Sequence, residues 1–219
     1  KRMERPEVRI DAQTKFLWVQ GKRLGTDAPV HIPAQMISKK HAVEQIRTKQ
    51  EPLIRFPIST GLATGRTKVE ALLGGVLEVI ERDAFMIMWM NTLSLPCIQI
   101  DSILTSNEVL AELHRTCARY LLSIKYVQLI TDAPAHVVMA VVSDESSLST
   151  PHPYTSVGLC ASSSLTRACE KALLEALRGR KNARARLAKH PEWLMKKPSE
   201  VYHTERGVYW CALERKPAL

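Results

Sequence analysis

No stretch of about 18 apolar residues occurs in this 219-residue chain, so a membrane-spanning helix is not expected. The first residues, KRMERPEVRID, are charged and lack the apolar centre of a signal peptide, which leaves the cytoplasm as the expected location. Cysteine is scarce and unpatterned: five residues, at 97, 117, 160, 169 and 211, with neither C-x-x-C pairs nor zinc spacing. Their mostly apolar surroundings read as buried free thiols of a reducing compartment, not as a disulfide framework or a zinc site. Aromatics are not interleaved with the basic stretch from Arg178 to Lys197, so it lacks the platform on which single-stranded nucleic acid stacks. Arg180, Lys181 and Arg184 recur there at helical spacing and read as a solvated basic helix end favoured by the helix dipole. The net charge of +9 keeps nucleic acid only as the lesser partner hypothesis. With 45% hydrophobic residues the chain has enough apolar surface for a real core, as one large domain or two closely joined halves.

The chemistry sits in one stretch, Ser59 to Asn91, STGLATGRTKVEALLGGVLEVIERDAFMIMWMN. Gly61 and Gly65 free the backbone ahead of Thr67, and Thr67 with Glu70 has the Thr-x-x-Glu spacing of a capping box, so a helix should run from near Thr67 to about Met90. Gly74 and Gly75 would each cost it about 1 kcal/mol relative to Ala. At about 100° per residue with Glu70 at zero, Glu81 falls near 20°, Gly74 near 40°, Glu78 near 80° and Arg82 near 120°. Three carboxylates, a glycine and an arginine thus share one face. Clustered carboxylates repel, and buried charge needs a partner. Two readings remain open on spacing alone. In one, Glu70 caps, Glu78 pairs with Arg82 and Glu81 is solvated. In the other, the carboxylates hold a hard divalent cation that arrives with phosphates, and Gly74 lets a ligand approach the backbone.

STGLATG-x-T-x-x-E-A followed by L-E-V-I-E-R-D-A is similar to the central signature of the YcaO family, whose usual form is a small-residue glycine loop, then E-A, then E-x-x-E-R-D. The resemblance implies ATP bound through magnesium ions held by glutamates, and phosphorylation of a peptide backbone amide oxygen during cyclodehydration or thioamidation. Glu70, Glu78, Glu81 and Arg82 match the family's metal and nucleotide residues by position. Glu70, Glu78 and Glu81 are the implied metal ligands, while Ala63 and Arg66 of the loop are counted with the nucleotide contacts. No side chain is assigned a catalytic role. Arg66 stands where the family most often has asparagine. Trp18 and Ile32-Pro33-Ala34 resemble the family's Trp-containing strand and V-x-x-P-A segment. A further N-terminal segment with a glutamate pair and a lysine is usual in the family, so this chain is expected to begin part-way through such a domain.

Residues 1 to 66 read as short strands and loops, with a strand at Lys15–Gln20, a turn at Gly21-Lys22 and an edge strand between Pro29 and Pro33. Cys97–Asp101 reads as a strand, Asn107–Leu122 as an amphipathic helix, and Lys125–Thr131 and His136–Ser143 as strands, the second buried on both faces. His136 reads as a strand-end histidine rather than a ligand. The Ser/Thr/Pro-rich segment from Ser143 to Thr155 reads as a loop, and Val208–Leu213 as a last strand.

Ser156-Val157-Gly158-Leu159 echoes Ser59-Thr60-Gly61-Leu62 at an offset of 97, which also brings Ala71 onto Ala168, Leu77 onto Leu174 and Glu78 onto Glu175. Two related strand–loop–helix units, around 59–90 and 156–187, would turn Glu78 and Glu175 toward a common cleft. The second helix, Thr166 to about Leu187, contains ALLEALRGR, similar to the family's A-L-L-E-A-x-Q-S-R. Glu175 and Arg180 match its glutamate and final arginine, both implied in the nucleotide site, and Arg178 replaces the usual glutamine. Only Pro217 stands where many peptide-cyclising members have a proline-rich tail.

The expectation is therefore an α/β (α+β) fold, a single partial YcaO-like domain of two pseudo-symmetric halves, with helices on mixed or antiparallel sheets. Its cofactors would be ATP and Mg²⁺, and its partner a precursor peptide or protein substrate. A leader-peptide-binding partner protein and a homodimer are left open.

Overall fold

The structure is a computed structural model that describes residues 10–48, 50–55, 58–144, 154–197, 200–201, 205–209 and 211. The chain forms two compact units, Lys1–Gly75 and Val76–Leu219.

In the first unit, β1 (Trp18–Lys22) pairs antiparallel with β2 (Pro29–Pro33), from Trp18 opposite Pro33 to Lys22 opposite Pro29. Gly21 and Lys22 are thus strand residues, not the expected turn. The reversal comes later, where Gly25 takes φ 87° and the Arg23 N–H donates to the Ala28 carbonyl at 2.8 Å. In a two-stranded sheet both strands are edges, which is why β2 tolerates proline at each end.

Two helices follow that the reading of 1–66 as strands and loops missed, α1 (Ala34–Ile37) and α2 (Lys39–Thr48). Ser38 starts the second, its Oγ accepting from the His41 N–H at 3.2 Å. Glu51 ties this unit together. Its carboxylate accepts from the Leu17 N–H at 3.0 Å and Gln35 Nε2 at 2.9 Å, and lies 3.3 Å from His41 Nε2. Burial opposes its charge, but these donors hold the Glu51 carboxyl below the usual glutamate value of 4.5.

The second unit is a three-layer sandwich. β3 (Leu122–Leu129), β4 (His136–Asp144) and β5 (Thr155–Ser162) form an antiparallel sheet in sequence order, with β4 in the middle. The two-residue side-chain period of β4 sends Val138, Ala140 and Val142 to one face and Val137 and Met139 to the other. On the first face lie α4 (Asp101–Ser106), α5 (Glu108–Arg119) and α6 (Leu165–Lys189), through Ile103, Leu110, Ala168, Cys169, Ala172, Leu173 and Ala176. On the second, the portion of α3 (Lys68–Asn91) beyond Gly75 packs Leu77, Ile80, Ala84, Phe85 and Met88. β4 is therefore buried on both sides, as its apolar run implies.

Gly158 sets the spacing on the α6 side. A Cβ there would lie 2.2 Å from the Ala172 carbonyl oxygen and 2.3 Å from the Ala176 nitrogen, so the helix backbone rests directly on β5.

Several local expectations are corrected. Cys97 makes only an isolated bridge to Val127, and Asp101 opens a helix, because Pro96 and the short run leave too few ladder bonds for a strand. α5 ends at Arg119 and not Leu122, the chain reversing through Leu121 at φ 54°, so β3 starts earlier than Lys125. Ser143 and Asp144 complete β4 and Thr155 begins β5, so the expected loop is wrong at both its ends; the rest of it, 145–153, lies outside the described residues. Val208 and Tyr209 belong to α7 (Arg206–Tyr209) and not to a strand; residues 210 and 212–219, with Pro217, lie outside the described residues. Cys97 is exposed, while Cys117, Cys160, Cys169 and Cys211 are buried free thiols as expected.

Two predictions follow from this packing. Replacing Glu51 by Gln destabilises the first unit by about 2 kcal/mol, the scale of hydrogen bonds to a charged group. A carboxyl whose value falls on folding stabilises above the unfolded value and loses that contribution as pH drops, so the gap between wild type and Glu51→Gln, measured by urea melts, closes below about pH 4.5. Gly158→Val forces β5 and α6 apart and should lower stability by about 3 kcal/mol or more, read as an earlier thermal melt with loss of near-ultraviolet dichroism.

Candidate functional site

The expected site residues divide between the two units. Ala63, Arg66 and Glu70 belong to the first, where Ser59–Arg66 form a glycine loop ahead of α3. Ser59 and Leu62 close a turn through a 2.8 Å backbone hydrogen bond, and Gly61 takes φ 83°, a conformation L side chains rarely adopt. Thr67 caps α3, its Oγ1 accepting from the Glu70 N–H at 3.2 Å. Glu70 reaches back, but to the Arg66 N–H at 2.8 Å, one residue beyond the reciprocal contact of an ideal capping box. One Glu70 oxygen is therefore engaged in holding the loop onto the helix.

The same loop explains the helical glycine pair. A Cβ on Gly75 would meet the Gly61 carbonyl oxygen at 2.8 Å, and one on Gly74 would meet the Ala63 methyl at 3.3 Å. The close approach expected at Gly74 is thus made by the chain's own loop, which places Ala63 against the helix. Arg66 and Glu70 are solvent-exposed.

Glu78, Glu81, Arg82, Glu175 and Arg180 belong to the second unit, and here the structure brings acids together. Glu81 is 8% exposed, Glu78 and Glu175 are half-buried, and Arg82 lies 3.1 Å from Glu81 through Nη2. Burial pushes the Glu81 carboxyl above its usual value. The negative charges of Glu175 and Glu78 add to this, while Arg82 and a hydrogen bond from the Ala161 backbone pull the other way. The Arg82 pairing expected with Glu78 is made with Glu81, and Glu81, read as solvated in the surface-pair alternative, is buried instead. Glu78 from α3 and Glu175 from α6 both lie near enough to Glu81 for their charges to act on it.

Cys160 lies in the same field. Burial first, with Glu81 and Glu175 adding and Lys171 and Arg167 opposing, pushes its thiol up to about 11. These two cations went unnoticed in the sequence, although Arg167, Lys171 and Glu175 recur every four residues along α6 and so share a face. Asp144 was also missed. It ends β4 and pairs with Arg180 through Oδ2 and Nη2, both side chains largely buried. Its position at the edge of a Ser/Thr-rich segment gave no signal of that partner. Arg178 is exposed.

Among the described residues no three His, Cys, Asp or Glu side chains are placed to hold a metal ion by themselves. The donor set nonetheless fits Mg²⁺, a hard cation usually bound through one or two carboxylates together with waters and substrate phosphates.

The site is thus a carboxylate cluster between two helices of an α/β sandwich, rimmed by arginine and lysine. A family model described as YcaO cyclodehydratase, ATP- and Mg²⁺-binding, matches residues 1–218. The chain belongs to the YcaO family. Solved structures share the fold at low identity. The E. coli microcin synthetase McbBCD complex with pro-MccB17 bound has a TM-score of 0.66 at 16% identity, covering 93% of this chain and 50% of that one. YcaO from Methanopyrus kandleri bound with AMPPCP and Mg²⁺ has a TM-score of 0.60 at 24% identity, covering 89% and 48%. A heterocyclase in complex with substrate and cofactor has a TM-score of 0.68 at 19% identity, covering 96% and 26%. A curated relative, an uncharacterized protein of Methanothermobacter thermautotrophicus, is 26% identical over 135 residues, 61% of this chain and 33% of that protein. The chain thus spans about a third of that relative's length and at most about half of these structures. The described residues include no helix long and apolar enough to cross a membrane.

Because Glu81 is held above the usual glutamate value of 4.5, its burial favours folding only in the protonated form. That contribution is full below 4.5 and is lost as pH rises through the folded value. Glu81→Gln should therefore melt a few degrees above wild type at pH 8 in the absence of metal and nucleotide, with the difference vanishing toward pH 4, as checked by thermal melts across that range.

Proposed function

We propose that this chain contributes to ATP-dependent activation of peptide backbone amides by O-phosphorylation, leading to an azoline or a thioamide in a ribosomally made peptide or protein. The observation that carries this reading is the convergence of Glu78, Glu81 and Glu175 on one buried carboxylate position beside Arg82. Such a cluster is unfavourable without a cation, and its oxygens are the ligand type that Mg²⁺ selects. When bound, magnesium would neutralise phosphate charge.

The chain's own groups then act mainly by position and charge. Glu81, with Glu78 and Glu175 beside it, would supply one or two metal-facing oxygens, the remaining positions going to waters and phosphate. Arg82 orients Glu81 and, with Arg180, offers guanidinium donors suited to phosphate. Ala63 and Arg66 lie on a loop that Gly61 and Gly75 keep close to α3. ATP held there would supply its γ-phosphoryl group to a peptide amide oxygen, with ADP as the leaving group. A neighbouring Cys, Ser or Thr side chain, or a sulfur donor, then adds to the activated carbon and phosphate departs. A precursor peptide is the natural substrate class for this chemistry, and the microcin synthetase complex, solved with pro-MccB17 bound, makes a leader-binding partner protein a coherent companion. The free thiols fit a cytoplasmic setting.

Calorimetry tests the site. Wild type should bind ATP in the presence of Mg²⁺ and lose at least tenfold in affinity when Mg²⁺ is chelated, while Glu78→Ala with Glu81→Ala should bind at least a hundredfold more weakly. If wild type shows no metal-dependent binding, the enzymatic reading of this chain fails and a peptide-docking role replaces it. If the double variant binds as wild type does, the site assignment fails.

A further inference from the structure

We infer that Asp144 is a positioning residue for the nucleotide site, orienting the Arg180 guanidinium toward phosphate before the ligand arrives. The inference rests on the functional reading above, which places Arg180 at the nucleotide. Arg180 lies five residues beyond Glu175 on α6, about 7.5 Å along the helix axis. Its Nη2 donates to Asp144 Oδ2 with the two side chains only 15% and 9% exposed. An exposed pair of this kind would fix little, because both partners would stay mobile and screened. A buried one removes most of the rotamer freedom of a long arginine and fixes the plane of its fork.

The carboxylate end is itself held. Asp144 is the last residue of β4, and its N–H donates to the Tyr154 carbonyl at 2.8 Å. The Tyr154 and Thr155 N–H groups donate in turn to the Cys211 carbonyl at 2.7 and 3.2 Å. One backbone hydrogen bond thus ties Asp144 to Tyr154, and two more tie Tyr154 and Thr155 to Cys211, beyond α7. Asp144 needs no contact with the ligand. It acts by presenting a donor fork already oriented, so that binding does not have to order it.

The test separates this role from simple stabilisation by a double-mutant cycle on Mg²⁺-ATP affinity. Wild type, Asp144→Asn, Arg180→Ala and the double variant are compared by calorimetry at 15 °C, with circular dichroism confirming the folded state. Asp144→Asn should raise the ATP Kd at least tenfold, Arg180→Ala at least as much, and the double variant no more than Arg180→Ala alone, because Asp144 works only through Arg180. Asp144→Glu keeps the charge and displaces the guanidinium by one methylene. It should hold the melting temperature near wild type yet still weaken ATP binding several-fold, and it carries the test if Asp144→Asn does not fold. Unchanged ATP affinity in a folded Asp144 variant, or additive losses in the double variant, overturns the positioning role while leaving the nucleotide site intact. A wild-type chain that binds no Mg²⁺-ATP overturns the functional reading itself, and the positioning role with it.

Discussion

The second unit depends on how near α6 can come to β5, and that distance is set by a missing side chain. With hydrogen alone at Gly158, the helix backbone rests on the strand, close enough that any Cβ would overlap the Ala172 carbonyl. Small residues on the helix, Ala168, Ala172 and Ala176, continue the close seam, all of them fully buried. The charge geometry follows from this apolar contact. Glu175 lies one residue before Ala176, so the seam that buries Ala176 also carries Glu175 to the sheet, where it meets the Glu81 field from α3.

Holding carboxylates together in this way works against folding, since burial and two neighbouring negative charges all disfavour the ionised form of Glu81. Arg82 and the Ala161 backbone offset this only in part. A chain selected for stability alone would place an amide or an apolar residue there, and strain of this kind commonly persists where a ligand relieves it. A divalent cation reverses the sign of each unfavourable term at once, turning mutual repulsion of glutamates into shared coordination.

The parts of the structure legible in the sequence are those written by periodicity. The central helix, the doubly buried β4, the amphipathic α5 and the long α6 all announce themselves through 3.6- or 2-residue spacing, and the Thr67–Glu70 spacing located a helix start to within a residue. The signature E-x-x-E-R-D brought Glu78, Glu81 and Arg82 to notice, and the ALLEALRGR stretch drew attention to Glu175, whose charge acts on Glu81. What stayed hidden depended on contacts distant in sequence. That Glu81 rather than Glu78 takes Arg82 is decided by burial against β5, and that Asp144 meets Arg180 is decided by where β4 ends relative to α6. α1 escaped because it is only four residues long and α2 because it is polar, held by Ser38 capping and by the Glu51 hub rather than by an apolar stripe.

The cations around the acids complete the electrostatic argument. ATP complexed with one Mg²⁺ remains an anion, so a site built from carboxylates alone would repel it once the metal's charge was used. On α6 the residues flanking Glu175 on its own face are Lys171 and, a turn earlier, Arg167, both near enough to Glu175 and Glu81 to act on the same Cys160 thiol. Arg178, where the family usually has glutamine, stands exposed three residues beyond Glu175 and adds a further positive charge to that stretch of helix. Acids gathered at the sheet and bases along the helix set oxygens of the kind a hard metal selects beside donors of the kind phosphate selects, the pairing on which the proposed nucleotide site rests. That polarity follows from α6 itself, whose alanine seam faces β5 and leaves Arg167 and Lys171 exposed.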